Sequence, residues 1–548
     1  MRNMTRDQRY RMYSGAVTRA TSCNLCFSDP IEGLTKLPSA MNWSATPQLV
    51  ARRLQENVAG SPRKQTRSQD LSLDLKFRPT SAITIDATLN PDFSQIELDS
   101  PQLSGNTRFS LFVPEKRPFF LEGADIFRTL FNAISTRSIA NPDAGLRYTQ
   151  RDADRDFSIL TTRDAAGGLV LIPHTYYTAY ANSPVTSTAT DARANFRLGT
   201  LSLGMVATGR TYAQDRGANR VIGPDFIWQV DRNQLMRGQL LMSTTTAHAD
   251  ASGNLVRGPS QSGHAAYFDW FQGDDAWAFS TNLREITKDF RSDNGFFSQV
   301  GYRSVNAEIQ KKLGRRGAIN ELNLFVGGEY KLDSDGRILS KAVSPGVRIA
   351  GPYDSSAFVS FSPAIHSRVS QEGSAYSISR LAAGISASPS KMMARVSVEA
   401  SAGDVIDILA NRLGRGGSIW MGAKLRPLDR LEVEPSYARS WINKRGGVDD
   451  GARAYTESAI QVNSIVHLSA QDTIRMILQD ARTTRNRLLY STVVVPESRR
   501  SVRSFVYTHR TGVGTATYLG WTKTETDVPG FTGKKEQTEL FAKLSWQN

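Results

Sequence analysis

The chain has 548 residues, with 67 Lys and Arg against 52 Asp and Glu for a formal net charge of +15. Its 24 Phe, 17 Tyr and 8 Trp are too many for bulk disorder, and two Cys cannot make a disulfide framework or a complete four-Cys zinc site. No apolar run reaches the ~18 residues of a membrane-spanning helix; the longest are short, such as Gly168-Leu-Val-Leu-Ile-Pro173.

The first 25 residues carry Arg2, Arg6, Asp7, Arg9, Arg11 and Arg19 without the apolar block of a secretory signal. Combined with the compartment argued below, this gives the expectation that the chain starts downstream of its natural N-terminus. Cys23-Asn-Leu-Cys26 has the spacing of a redox pair, but no βαβ pattern surrounds it, so the spacing reads as incidental. Residues 1–68, with Arg52, Arg53, Arg63, Lys64 and Arg67 and a Gly60-Ser-Pro62 break, read as a linker or the remnant of a missing N-terminal region. Within them, residues 46–58 are the best helical candidate: Thr46 suits a cap, Pro47 a first helical position, and Val50, Leu54 and Val58 recur every four residues.

From residue 69 to the C-terminus the dominant period is two. Leu71, Leu73, Leu75 and Phe77 alternate with Ser72, Asp74, Lys76 and Arg78; after Pro79-Thr80, Ile83, Ile85, Ala87 and Leu89 alternate with Thr84, Asp86, Thr88 and Asn90. The pattern predicts a hairpin with one oily and one charged face. It recurs at Val305/Ala307/Ile309, Leu322/Leu324/Val326, Val396/Val398/Ala400, Leu431/Val433/Tyr437 and Leu540/Ala542/Leu544/Trp546. Segments of ~10 residues with such alternation are the signature of a transmembrane β-barrel. The fold class is therefore all-β: a large antiparallel barrel over residues 69–548, with an even strand number of about 18–24 at ~18–20 residues per strand and connection. A soluble sandwich or propeller also alternates. Against it stand the absence of a blade-length repeat, the aromatic ends of the oily faces (Phe77, Tyr330, Tyr437, Trp441, Trp546) and the full charges on the polar faces, which suit a wet lumen. Leu540, Phe541, Leu544 and Trp546, at the end of the chain, resemble the signal read by outer-membrane assembly machinery.

One segment breaks the alternation. Residues 90–127 hold Pro91, Pro101, Pro114 and Pro118 and a cluster of Glu115, Lys116, Arg117, Phe119, Phe120 and Glu122. Proline lacks the N–H a central strand needs, and irregular backbone at membrane depth survives only when buried in protein or facing water. The segment is therefore expected inside the barrel or across one mouth as a plug or constriction, with Lys116 and Arg117 pairing with inward acids such as Glu308, Glu329, Glu399 or Glu432.

Asn90-Pro-Asp-Phe-Ser-Gln-Ile-Glu97 and Phe112-Val-Pro-Glu-Lys-Arg-Pro-Phe-Phe-Leu-Glu-Gly123 resemble the two signature motifs of the family called domain of unknown function 5916, and Asp289-Phe-Arg-Ser-Asp-Asn-Gly-Phe-Phe297 resembles a later one. The resemblance implies an outer-membrane barrel, commonly preceded by a signal peptide and a domain like family 9 carbohydrate-binding modules, neither of which is read in this sequence, in keeping with the expected downstream start. The motif positions Asn90, Pro91, Asp92, Phe93, Ser94, Gln95, Glu97, Pro114, Glu115, Lys116, Arg117, Pro118, Phe119, Phe120, Glu122 and Gly123 are the candidate binding or gating residues.

Chemistry elsewhere is sparse. The histidines 174, 248, 264, 366, 467 and 509 are scattered, without helix-borne metal spacing, and no nucleophile elbow, phosphate loop or dinucleotide fingerprint occurs. No metal, cofactor or catalysis is expected. The positive charge is spread through strands and loops without a nucleic-acid-binding module, so the expected partners are outer-membrane lipid and lipopolysaccharide, the assembly machinery, and a solute, saccharide or otherwise polymer-derived. The function expected is binding or passage of that solute across the bacterial outer membrane. The alternatives are a hydrolase using Glu115 and Glu122 as a carboxylate pair, and a structural or assembly scaffold.

Overall fold

A computed structural model describes residues 2–5, 9–12 and 42–548; Cys23 and Cys26 lie outside the described residues. Its main body is a closed barrel of 24 antiparallel strands, each paired with its neighbours in sequence. The last strand, Gly533–Ser545, closes the wall against the first, Trp43–Val58, in register from Lys535 opposite Val58 to Ser545 opposite Gln48. At ~4.8 Å between strands and a tilt of ~40°, such a wall encloses a lumen roughly 45–50 Å across at the backbone.

Period two sets which way each side chain points. Leu71, Leu75 and Phe77 stand on the outer surface, Leu71 with 73% of its area exposed, while Ser72 is buried on the inner face. The same holds at Val305 and Ile309, at Leu324 and Val326, and at Leu540 and Leu544, all exposed and outward. Phe541 and Lys543, of the opposite parity, are buried; the Phe541 ring lies over Gly520, where an added Cβ would stand 2.0 Å from it. Phe541 therefore faces inward, apart from Leu540, Leu544 and Trp546, with which the sequence reading grouped it.

Two expectations need correcting. Residues 46–58 are not a helix but part of the strand Trp43–Val58, and the barrel accordingly begins at Trp43, not at residue 69. A spacing of four residues fits a helical stripe and equally every second inward position of a strand. The nearly unbroken pairing of this segment with both Lys64–Phe77 and Gly533–Ser545 decides between them.

The longest connections all lie at one of the two rims. Turns such as 199–200, 317–318 and 429–430 lie at the rim where Trp43 begins and Ser545 ends the wall; residues 90–141, 165–186, 287–301 and 486–496 belong to the other. A separate hairpin, Gly168–Pro173 with Thr178–Ser183, lies within the 165–186 connection. Its Val170 and Ala181 pack with Tyr212, Ala247 and Leu255 of the wall.

Candidate functional site

After the strand Ile83–Leu89 the chain leaves the wall and does not rejoin it until Pro142. Asn90 makes the exit in the left-handed region, φ 47°, with its amide donating to Leu71 O at 2.9 Å; Asn tolerates this conformation better than most residues. The irregular stretch thus runs to residue 141, beyond the 90–127 marked by composition.

Its contacts fall on inward side chains far apart around the wall. Asp92 pairs with Arg52 at 2.8 Å and Lys543 at 3.2 Å, and its carboxylate also accepts from the Ser94 backbone and hydroxyl. Arg475 donates to Gln95 O at 2.6 Å, and Asn463 to Glu97 at 2.8 Å. Glu457 accepts from the backbone N–H of Ser104 and Gly105. Arg108 donates to Arg368 O, and Phe131 N–H to Gln239.

The second motif builds a tight knot. Pro118 opens a one-turn helix, Pro118–Leu121, at the position where its missing N–H is harmless; Gly123 follows with φ 68°. Arg117, buried, donates to Glu115 at 2.9 and 2.7 Å and to the carbonyls of Ile139 and Thr136 at 2.7 and 2.6 Å. Its guanidinium lies 4.3 Å from the Phe120 ring centroid and 5.4 Å from that of Phe93. Burial acts to raise the Glu115 carboxyl, but the hydrogen bonds and charge of Arg117, with the Thr136 hydroxyl, outweigh it and hold the carboxyl at about 2. Phe120 packs with Phe127, Ile139, Leu160 and Ala189. Phe119 meets it edge-on, centroids 5.2 Å apart. Glu122 pairs with Lys76 and, at 3.7 Å, with the fully buried Arg147, which also holds Asp86 at 2.7 Å and Phe119 O at 2.6 Å. A cavity of about 530 Å³ opens among Asp74, Lys76, Asp86, Phe119, Glu122 and Arg147.

The expected partners of Lys116 and Arg117 are thus corrected. Lys116 donates to Leu98 O within the segment, and Arg117 is satisfied by Glu115; Glu308 and Glu432 pair instead with Arg348 and Lys424 of the wall. Local geometry favours this, because Glu115 is two residues from Arg117. Across the boundary, segment acids Asp92, Glu122 and Asp125 meet wall bases Arg52, Lys543, Lys76, Arg147 and Arg151.

The later motif clamps the far end. Arg291 pairs with Asp293 at 2.6 Å, and Asp293 also accepts from the Tyr212 hydroxyl at 2.7 Å. Asn294 donates to Asp191 at 2.9 Å while its carbonyl accepts from Ser135 N–H, and Phe296 N–H reaches Asn132 O. Arg147, Asp191, Asn219 and Tyr212 are buried participants that sequence reasoning missed. Lone polar residues scattered over separate strands carry no local signal, although their inward parity was readable.

Fold and site together define a large antiparallel β-barrel with an irregular, ion-paired segment held against its inner face. Residues 53–142 match the model of the family described as Domain of unknown function (DUF5916), and that match contains both long motifs. No curated protein matches the chain. Among solved structures it is similar to a mutant of the ferric enterobactin receptor PfeA from Pseudomonas aeruginosa in complex with enterobactin, at 8% identity over 92% of this chain and 81% of that one, TM-score 0.46. It is also similar to Pseudomonas aeruginosa OpdQ, at 8% identity over 93% and 100%, TM-score 0.31, and to the siderophore receptor PiuA from Acinetobacter baumannii, at 8% over 92% and 82%, TM-score 0.44.

Proposed function

We propose that the protein is a bacterial outer-membrane β-barrel that passes a solute without catalysis, with residues 91–141 acting as a plug that narrows its lumen. The observation that carries the membrane reading is the outer surface. Exposed Leu, Ile, Val, Met and Phe cover it, and at the short-turn rim Trp43, Phe77, Phe196, Trp228, Trp277 and Trp546 all stand outward and exposed. An apolar band bordered by aromatic residues suits the boundary between lipid tails and headgroups, and a closed wall leaves no unpaired strand edge in lipid. Short turns on one rim and long connections on the other orient the barrel, with the short-turn rim periplasmic.

The plug reading rests on the spread of contacts from Arg52 to Lys543 around the wall. Glu115 and Glu122, the pair a hydrolase would use, are each engaged by cations, which favours a structural role for both. The test is reconstitution of the full chain in liposomes. Swelling in an iso-osmotic pentose solution is expected; inserted protein that gives no swelling contradicts solute passage.

A further inference from the structure

The plug does not line the whole lumen. Among the described residues, its hydrogen bonds to the wall between residues 302 and 444 fall on Arg368 O, Ile406 O and Ile408 N, all at the long-loop end. Lower on that wall, strand pairing aligns the inward residues Asn323, Arg348, Phe358, Gly384, Glu399 and Trp420 in a single row across six adjacent strands. Two of the aromatic rings lie over glycines. A Cβ at Gly384 would stand 2.5 Å from the Phe358 ring, and one at Gly422 would stand 2.8 Å from the Trp420 ring. Each ring therefore packs against glycine backbone, and Trp420 keeps 42% of its area exposed.

Charged and amide groups flank these rings. Arg348 stacks 3.9 Å from the Phe325 centroid and donates to Glu308 at 2.8 Å. Glu308 in turn lines a lumen cavity of about 680 Å³ together with Asn282, Arg284, Asn306, Glu329 and Lys331. Donors and acceptors of both signs beside partly exposed aromatic rings match a ligand with many hydroxyls, apolar C–H faces and no net charge. An anion would meet Glu308, Glu329 and Glu399; a cation would meet Arg284, Lys331 and Arg348.

We infer that this wall is a recognition strip for neutral oligosaccharides. Trp420 and Phe358 stack on the C–H faces of sugar units, and Glu399, Arg348 and Glu308 hydrogen-bond their hydroxyls. Three strand spacings separate the two backbone positions, but the Phe358 ring leans over Gly384, one strand nearer Trp420, so about two spacings, roughly 10 Å, separate the rings, a distance that a chain of two or more units spans and a monosaccharide does not. The inference rests on the reading of the lumen as a water-filled passage.

The test uses the full chain with maltohexaose, cellohexaose and glucose as probes, in two measurements. One is block of ion current in planar bilayers; the other is calorimetric binding to the detergent-solubilised barrel, which needs no conduction. At least one hexasaccharide is expected to bind and to block at lower concentration than glucose. Trp420→Ala and Phe358→Ala should each weaken binding roughly three- to tenfold, and Trp420→Phe should keep most of it; unblocked current, or heat-modifiable migration on gels, reports that each variant has assembled. Conduction without binding or block by either hexasaccharide, equal binding by both alanine variants and the parent, or tighter binding of a hexauronate than of the neutral hexamers would each overturn the strip. Binding without conduction would uphold the strip and overturn the channel reading alone.

Discussion

Five hydrogen bonds converge on the Glu115 carboxylate, from the backbone N–H of Lys116 and Arg117, from Arg117 Nε and Nη2, and from the Thr136 hydroxyl. Removing its charge leaves Arg117 buried without a counter-ion, a loss that typically costs about 3–5 kcal/mol. Glu115→Gln should therefore loosen the plug and leave the barrel intact, read as faster proteolysis within residues 100–140 with unchanged heat-modifiable migration. The pH dependence follows the same bond. A carboxyl near 2 in the folded protein and near 4.5 when free contributes stability that is complete above pH 4.5 and is lost as pH falls from there toward 2. Proteolysis by an acid-active protease should accelerate across that window in the parent and be nearly flat in Glu115→Gln. The motif made Glu115 and Arg117 conspicuous in the sequence. Arg147 was invisible there, because its partners Asp86 and Glu122 come from a neighbouring strand and from the plug.

Strand parity decides where a charge can be placed. Val398 lies opposite Ile385 and Met421 on the outer face, whereas Ser397 lies opposite Ser386 and Gly422 on the inner one. An arginine facing lipid at mid-depth costs roughly 2–4 kcal/mol, while a lumen position tolerates it. Val398→Arg should impair folding into liposomes, and Ser397→Arg should fold nearly as the parent does; equal yields would contradict the assigned faces. This alternation was legible because one face is oily along almost every strand. The strand Trp43–Val58 was not, since its inward row mixes Val50 and Leu54 with Gln48 and Arg52, and its outward row mixes Leu49 with Arg53. Its identity comes from closure: without it, the edges of Gly533–Ser545 and Lys64–Phe77 would stand unpaired in the bilayer.

At the scale of the whole molecule, the irregular segment proposed as a plug and the wall are fitted to each other by charge. Wall bases reach the plug's acids and carbonyls, Arg475 to Gln95, Arg485 to Gly105 and Arg210 to Ser138, so part of the chain's positive balance faces inward. Prolines and the broken alternation revealed an irregular segment and where it starts. Its run to residue 141 and the clamp by residues 291–296 depend on long-range contacts that no local window contains. The central claim is that this segment narrows a membrane-spanning lumen, and the most direct measurement is single-channel conductance in planar bilayers of a variant lacking residues 100–123. Conductance well above that of the parent, with larger neutral solutes admitted in liposome swelling, is the result expected. Assembled barrels with unchanged conductance and size limit would contradict the plug, and failure of the variant to assemble would place the segment in the folding core instead.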